Sequence, residues 1–278
     1  MKKVLAVSGG IDSVVMLHIF RNDSEVVVAH YNHGIRPNSA DDQAFVKRLA
    51  QKYKLPFETA DGNLGPNTSE AAAREARYQF FEAICKKHGG RLHVAHHLDD
   101  VYESIAINVL RGTGWRGLAP LRNPNVERPL LGWRKSDIYR YATEHQLSFR
   151  QDQTNNEDIY LRNRVRVALL RASNAQKEQL RQLYERQCQI SSEVQKILDR
   201  FVSEQGQSIS RDIFIDIDEQ SGVELLRELL SINGISQTRP QLHRALSAIK
   251  NYLPGKQFPL NKNKYIRISK YHFSIKSN

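Results

Sequence analysis

The 278-residue chain has only two cysteines, Cys85 and Cys188, far apart and without a partner at metal or redox spacing. That excludes a disulfide framework, a zinc knuckle and a Cys-x-x-Cys redox centre, and points to a reducing, cytoplasmic setting. It also lacks long apolar runs. Val4–Val7 breaks at Ser8-Gly9-Gly10 and meets Asp12, so neither a signal peptide nor a membrane span is expected, and no membrane partner. No internal repeat or low-complexity tract is visible. Acidic residues are missing from the whole tail: after Glu228 there is no Asp or Glu, while nine basic residues follow.

What is present is ordinary globular material: 40% apolar and 26% charged residues, with a mean hydropathy of −0.56. The 41 Lys and Arg against 30 Asp and Glu give a net charge of +11, which favours a polyanionic partner such as nucleic acid. An unspecific basic surface would give the same count.

Apolar runs alternate with helical patterns through the first 170 residues. Lys3–Ser8, Glu25–His30, Pro56–Ala60 and Leu92–Ala95 read as strands; Asp12–Phe20, Ser39–Tyr53, Thr68–Lys87 and Leu98–Leu110 read as helices. That order predicts an α/β fold, an open parallel sheet with helices on both faces. The polar stretch Asn174–Gln205 predicts a long exposed helix. A small α+β unit then follows, with a strand at Asp212–Ile217, helices at Glu219–Asn233 and Thr238–Tyr252, and two short strands around Ile266, Ile268 and Phe273, Ile275. The expected domains are 1–172 (open α/β), 173–210 (helical connector) and 211–278 (small and basic).

Ser8-Gly9-Gly10-Ile11-Asp12-Ser13 stands between the first strand and the first helix. Paired glycines admit a close oxyanion, and the helix start supplies unpaired N–H groups, so this reads as a phosphate cradle without a Walker lysine. The string resembles the pyrophosphate loop of the N-type ATP pyrophosphatases. Further motifs follow in order: His30-Tyr31-Asn32-His33-Gly34-Ile35-Arg36; Glu70-Ala71-Ala72-Ala73-Arg74 with Arg77-Tyr78; Ala95-His96-His97-Leu98-Asp99-Asp100 with Glu103; Arg111-Gly112-Thr113-Gly114; Arg128-Pro129-Leu130-Leu131; Asp152-Gln153-Thr154-Asn155; and Arg162-Asn163-Arg164-Val165-Arg166. As an ordered set, from about Val4 to Leu170, they resemble the tRNA(Ile)-lysidine synthetase family, here in a short form.

The resemblance implies a ligase that adenylates the wobble cytidine of a CAU-anticodon tRNA(Ile) with ATP. Free L-lysine then displaces AMP to leave lysidine. Two other readings stand beside it: another adenylating tRNA modifier such as a thiolase relative, and a non-catalytic RNA-binding protein with an inactive loop. The lack of paired cysteines disfavours sulfur insertion.

On this reading Ser8, Gly9, Gly10, Ile11, Asp12 and Ser13 bind ATP, joined by Arg111 and Gly112. Asp12 is also a magnesium-linked carboxylate, or else a helix cap. Mg2+ accompanies ATP; no zinc or iron–sulfur cluster is expected. Deprotonating a lysine ammonium at pH 7 costs about 4.6 kcal/mol, so an acidic cluster is needed to select the amine and take its proton. Asp99, Asp100 and Glu103 are the candidates for that task, Glu103 sharing a helix face with either Asp99 (i,i+4) or Asp100 (i,i+3); or Asp99 only caps the helix and Glu103 is solvated. Asp12, Asp100 and Glu103 are the expected catalytic residues. His33, Arg36, Arg74, Arg77, Arg162 and Arg166 are expected to contact tRNA, with Lys262, Lys264 and Lys270 from the tail. For Arg74 an ion pair with Glu70 competes. A homodimer is compatible with the sequence.

Overall fold

The computed structural model describes residues 1–32, 34, 39–62, 68–150, 157–206 and 208–277. They divide into two compact units, 1–187 and 188–278, and the division falls inside one long helix.

The first unit holds five parallel strands in the order β3-β2-β1-β4-β5. These are β1 (Lys2–Ala6), β2 (Val26–Asn32), β3 (Phe57–Asp61), β4 (Gly90–His93) and the short β5 (Val126–Glu127). Its helices are α1 (Ile11–Ile19), α2 (Ser39–Lys52), α3 (Glu70–His88), α4 (Leu98–Leu110), α5 (Lys135–Glu144) and α6 (Glu157–Arg171). Val26, Val27, Val28 and Ala29 are all buried, the mark of an inner strand covered on both faces. Alternation sends Leu5, Val26 and Val28 into one core with Met16 of α1, Val46 of α2 and Ile138 of α5. Val4, Val27 and Ala29 go into the other with Phe81 and Ile84 of α3. Gly90 opens β4 so close to β1 that a Cβ there would lie 2.6 Å from the Lys2 carbonyl oxygen, which explains the glycine.

The second unit comprises the latter part of α7 (Asn174–Gln205), then β6 (Ile209–Ser210), α8 (Arg211–Asp216), α9 (Glu219–Ile232), α10 (Arg239–Asn251), β7 (Gln257–Pro259), β8 (Lys264–Ile268) and β9 (His272–Ser277). Its sheet is antiparallel in the order β6-β9-β8-β7. The strand expected at Asp212–Ile217 is not formed: Asp212–Asp216 lie in α8 and Ile217 is its extended C-cap. Alternating apolar positions in RDIFID suit a strand, but Phe214 alone is fully buried while Ile215 stays exposed. Arg211 explains the local arrangement. Its buried guanidinium donates to the carbonyls of Ile249, Lys250 and Tyr252 at the end of α10, at 2.5, 3.1 and 2.7 Å. A cation at a helix C-terminus satisfies orphan carbonyls and opposes the helix dipole. Leu198 of α7 belongs to the same core as Phe214, Leu226, Leu246 and Phe273, so the latter part of that helix is structural for this unit.

Among the described residues, no helix is long and apolar enough to cross a membrane.

Candidate active site

The loop after β1 is tied by its own serines. Ser13 Oγ accepts from the backbone N–H groups of Ser8 and Gly9, both at 3.2 Å, and donates to the Gly10 carbonyl at 2.8 Å. Gly9 has φ +94°, a left-handed conformation, and a Cβ there would press on Phe45 at 3.4 Å. Ser8, Gly9, Gly10, Ile11, Asp12 and Ser13 thus form one turn at the carboxyl edge of β1, running into the start of α1. Two supports were not anticipated. Arg150 donates its backbone N–H to the Gly9 carbonyl at 2.9 Å. His30, buried and with its pKa lowered chiefly by desolvation, donates Nδ1–H to the Val7 carbonyl at 2.8 Å. His30 is therefore a neutral strut under the loop.

Three helices begin at this point. Asp12 lies in the first turn of α1, His97 caps α4, and Lys135 opens α5. His97 Nε2 is 3.8 Å from Asp12 Oδ1 and 3.6 Å from Asp100 Oδ2. Lys135 Nζ meets Asp12 Oδ1 at 2.5 Å, and its backbone N–H donates to Asp99 Oδ2 at 2.7 Å. Asp100 Oδ2 also accepts from the His97 backbone at 2.9 Å. Desolvation raises the Asp100 pKa above the usual carboxylate range, against a smaller opposing pull from His97. A carboxylate so displaced is a better proton acceptor near neutral pH than an exposed one.

The expected acidic trio is not equivalent. Asp99 stitches α4 to α5 through the Lys135 backbone. Glu103 is buried and held by Arg166, Nε to Oε1 at 2.7 Å and Nη2 to Oε2 at 3.1 Å, with Arg162 Nε 3.8 Å away. Arg162 and Arg166, expected on tRNA phosphates, thus have a carboxylate partner on α4. Nor is Glu103 a free carboxylate for an amine. Asp100 and Asp12 remain as the acids gathered around His97.

Arg111 and Gly112 are not brought to the loop. They follow the last turn of α4, whose first turn carries Asp99 and Asp100; thirteen helical residues put about 20 Å between the two ends. Arg74 lies over the Tyr78 ring at 5.0 Å, and Arg77 is on the same helix. His33, Arg36 and the Asp152–Asn155 motif lie outside the described residues. In the second unit Lys262 and Lys270 are exposed, but Lys264 Nζ donates to the Asn233 carbonyl at 2.5 Å and so ends α9.

Sequence reasoning missed Lys135, Arg150 and the role of His97. None belongs to the loop string, and only the fold carries them to it. The Gly-Trp-Arg-Lys-Ser-Asp string before α5 held one usable signal. Asp137 accepts the Arg134 N–H at 2.9 Å, a cap pattern that marks a helix start at Lys135.

Comparison with known proteins agrees with this geometry. The chain is 37% identical over 184 residues to the tRNA(Ile)-lysidine synthase of Caldanaerobacter subterraneus subsp. tengcongensis, covering 61% of this chain and 39% of that one. To the tRNA(Ile)-lysidine synthase of Burkholderia mallei it is 32% identical over 262 residues, covering 84% of this chain and 53% of that one. The chain therefore spans about half or less of the length of these relatives. Among solved structures, the U34-tRNA thiolase NcsA from Methanococcus maripaludis superposes with a TM-score of 0.56 at 20% identity, over 67% of this chain and 72% of that one, a likeness of fold. The profile of the PP-loop domain matches residues 1–173, more than half of the sequence and the whole of the sheet that carries the loop. On that match, and on the serine-tied glycine turn at the head of α1, the chain belongs to the PP-loop domain family.

Proposed function

We propose that the protein is a tRNA(Ile)-lysidine synthetase. One observation carries the reading: Asp12 of the loop and Asp100 of α4 converge on the same buried imidazole, His97, within 3.8 Å. The phosphates and the amine can then be handled side by side, on either side of His97. The names of the relatives supply the substrates; the pocket supplies a chemistry that suits them.

In the first step the cytidine C2 oxygen attacks the ATP α-phosphorus and pyrophosphate leaves. The N–H groups at the start of α1, with the exposed Ser8 hydroxyl beside them, would meet the charge that develops, while the Ser13 hydroxyl stays on the Gly10 carbonyl and shapes the turn. In the second step the lysine ε-amine adds at C2 and AMP departs. Asp100, raised by burial, takes the proton, while Asp12 and Asp99 add negative potential for the incoming cation. Glu103 holds Arg166 and so fixes α6 against α4; its contribution is positional.

Magnesium fits in a limited way. Among the described residues no group of three or more His, Cys, Asp or Glu side chains is arranged to hold a metal. Two carboxylates near one point suit a hard cation that takes its other ligands from phosphate and water. Asp12 is the residue to hold it, and the ion would offset triphosphate charge.

For tRNA, Arg74 and Arg77 on α3, His33 and Arg36 after β2, and the exposed Lys262 and Lys270 are the proposed phosphate contacts, with residues 188–278 as a second tRNA-gripping unit. A cytoplasmic location and a homodimer remain part of the proposal. The thiolase reading has less support. Cys85 packs on α3 against the core beneath the sheet, where desolvation raises its thiol pKa and so opposes thiolate formation.

The test offers ATP, radiolabelled lysine and a CAU-anticodon tRNA(Ile) transcript. Label should enter the tRNA only when all three are present, with no sulfur donor. ATP turnover that requires a sulfur donor and leaves lysine unincorporated would move the protein to the thiolase reading. RNA binding without any ATP turnover would move it to the non-catalytic one.

A further inference from the structure

We propose that Lys135 is the phosphate-binding cation of this nucleotide loop, supplied by α5 because the loop has none of its own. The inference rests on the nucleotide reading above. Ser8–Ser13 contains no Lys or Arg, and the surrounding first turns contribute the carboxylates of Asp12, Asp99 and Asp100. A triphosphate approaching such a cluster of carboxylates needs a compensating cation. Arg166 is engaged by Glu103. Lys135 is at hand, its ammonium on Asp12 Oδ1 at 2.5 Å.

The mounting suits the task. The Lys135 backbone is pinned by Asp99 Oδ2 at 2.7 Å, and the preceding turn is held where Leu98 donates to the Trp133 carbonyl at 2.8 Å. The side chain is not pinned in the same way: it is 34% exposed, with the Tyr139 ring 5.5 Å from the ammonium. A root fixed at the backbone and a part-exposed charged end place the ammonium where a phosphate oxygen can take over from the carboxylate without a helix moving. Lysine serves such a point-charge role well. His97, buried with Nδ1 unbonded, lines the same place.

In the adenylation step the bond from the C2 oxygen to the α-phosphorus forms as the bond from that phosphorus to the bridging oxygen breaks. The electron pair leaves with pyrophosphate, and Lys135 meets the charge gained by that leaving group. No proton, oxidant or further reactant is required of Lys135.

The experiment titrates ATP and, separately, AMP into the full chain by calorimetry, with magnesium present. Lys135→Met, which keeps the apolar stem, should weaken ATP about 10–100-fold and leave AMP within about twofold. Lys135→Arg should recover most of the loss. Lys135 could instead act only by neutralising Asp12. In that case the double variant Asp12→Asn with Lys135→Met, titrated without divalent cations, would regain the wild-type preference for ATP over AMP, and the proposal would be overturned. Equal loss for both nucleotides, or none for ATP, would overturn it as well. Wild-type protein that binds neither nucleotide would instead discard the nucleotide reading of the site.

Discussion

Glu103 and Arg166 form a two-pronged ion pair between α4 and α6 in which the partners differ sharply in exposure, 6% for the carboxylate side chain and 53% for the guanidinium. The buried partner bears the desolvation cost, and the exposed one keeps an edge free. The pair is thus a joint between two helices more than a catalytic acid beside a tRNA-binding base. The bond raises the Arg166 pKa further, so the guanidinium stays charged throughout.

Removing the buried partner should therefore show as lost stability. Glu103→Ala should cost about 1–3 kcal/mol, less than the roughly 3–5 kcal/mol of a fully buried broken pair, because Arg166 can reach water. Arg166→Ala should cost more than an exposed arginine normally would, since it leaves Glu103 buried and unpaired. Urea denaturation of both single variants and the double variant gives the coupling. Additive losses would mean the pair contributes nothing between the helices.

Asp100 separates stability from function. Its pKa is raised by desolvation, so the native state binds a proton more tightly than the unfolded chain does. The group's contribution is then greatest at acid pH and is lost as pH rises through the raised folded value. Asp100→Asn keeps an acceptor for the His97 N–H and removes a buried charge. It should leave the melting temperature at pH 7 unchanged or higher, while raising the lysine requirement of the second step. Adenylated tRNA should still accumulate in the absence of lysine. Unaltered lysine dependence would remove Asp100 from the chemistry.

His96 acts in the opposite sense. Burial, reinforced by Arg128 and Arg74, lowers its pKa from 6.5 to about 4. Between those values the unfolded chain takes up a proton that the native state refuses, so stability falls as pH drops through that window. His30 and His93 are lowered in the same direction, so His96→Gln should reduce the acid sensitivity and not abolish it. Urea midpoints at about pH 7 and about pH 4.5 should lie closer together in the variant than in the wild type. An unchanged gap would mean that His96 is protonated in the native state as well.

The basic tail divides into structural and surface charge. Lys250 donates to the carbonyls of Ile215 and Ile217, and Lys264 to that of Asn233, so neither is a fair probe of RNA binding. Changing Lys262, Arg267 and Lys270 together to Glu should leave the fold intact. It should lower the slope of log affinity for tRNA against log salt by about 2–3. Filter binding at several salt concentrations reads the slope, and a constant slope would make this surface a solvated face only. A deletion beginning at residue 211 would be a poorer test, because it strips Phe214 and Phe273 from Leu198 on the remaining helix.

Much of the first unit was legible because its signals are local. Apolar runs of β-branched residues gave the strands, and the glycine pair with its flanking serines gave the loop at the right junction. Asp212–Ile217 is the exception: its apolar Ile213-Phe214-Ile215 suits a strand, but Arg211 uses the segment to close the end of α10. Asp99, Asp100 and Glu103 likewise read as one acidic cluster from their i,i+3 and i,i+4 spacings. Spacing along a helix does not report what the neighbouring helix presents. Glu103 faces Arg166, more than sixty residues away in sequence, and Asp99 faces the backbone of Lys135.

Short-range pattern is enough to specify a parallel α/β sheet, a glycine turn with a helix behind it, and an excess of positive charge in the tail. Each follows from neighbours within a few residues: side-chain period, the φ freedom of Gly9, the composition of one segment. Tertiary structure alone decided which charges are free. Lys135 reaches Asp12 across 123 positions, Arg166 takes Glu103, and Lys264 goes to a helix end instead of to solvent. The physical reason is that an ionised group is committed by whichever opposite charge or orphan carbonyl the packing brings within about 3 Å, and that distance is not written along the chain.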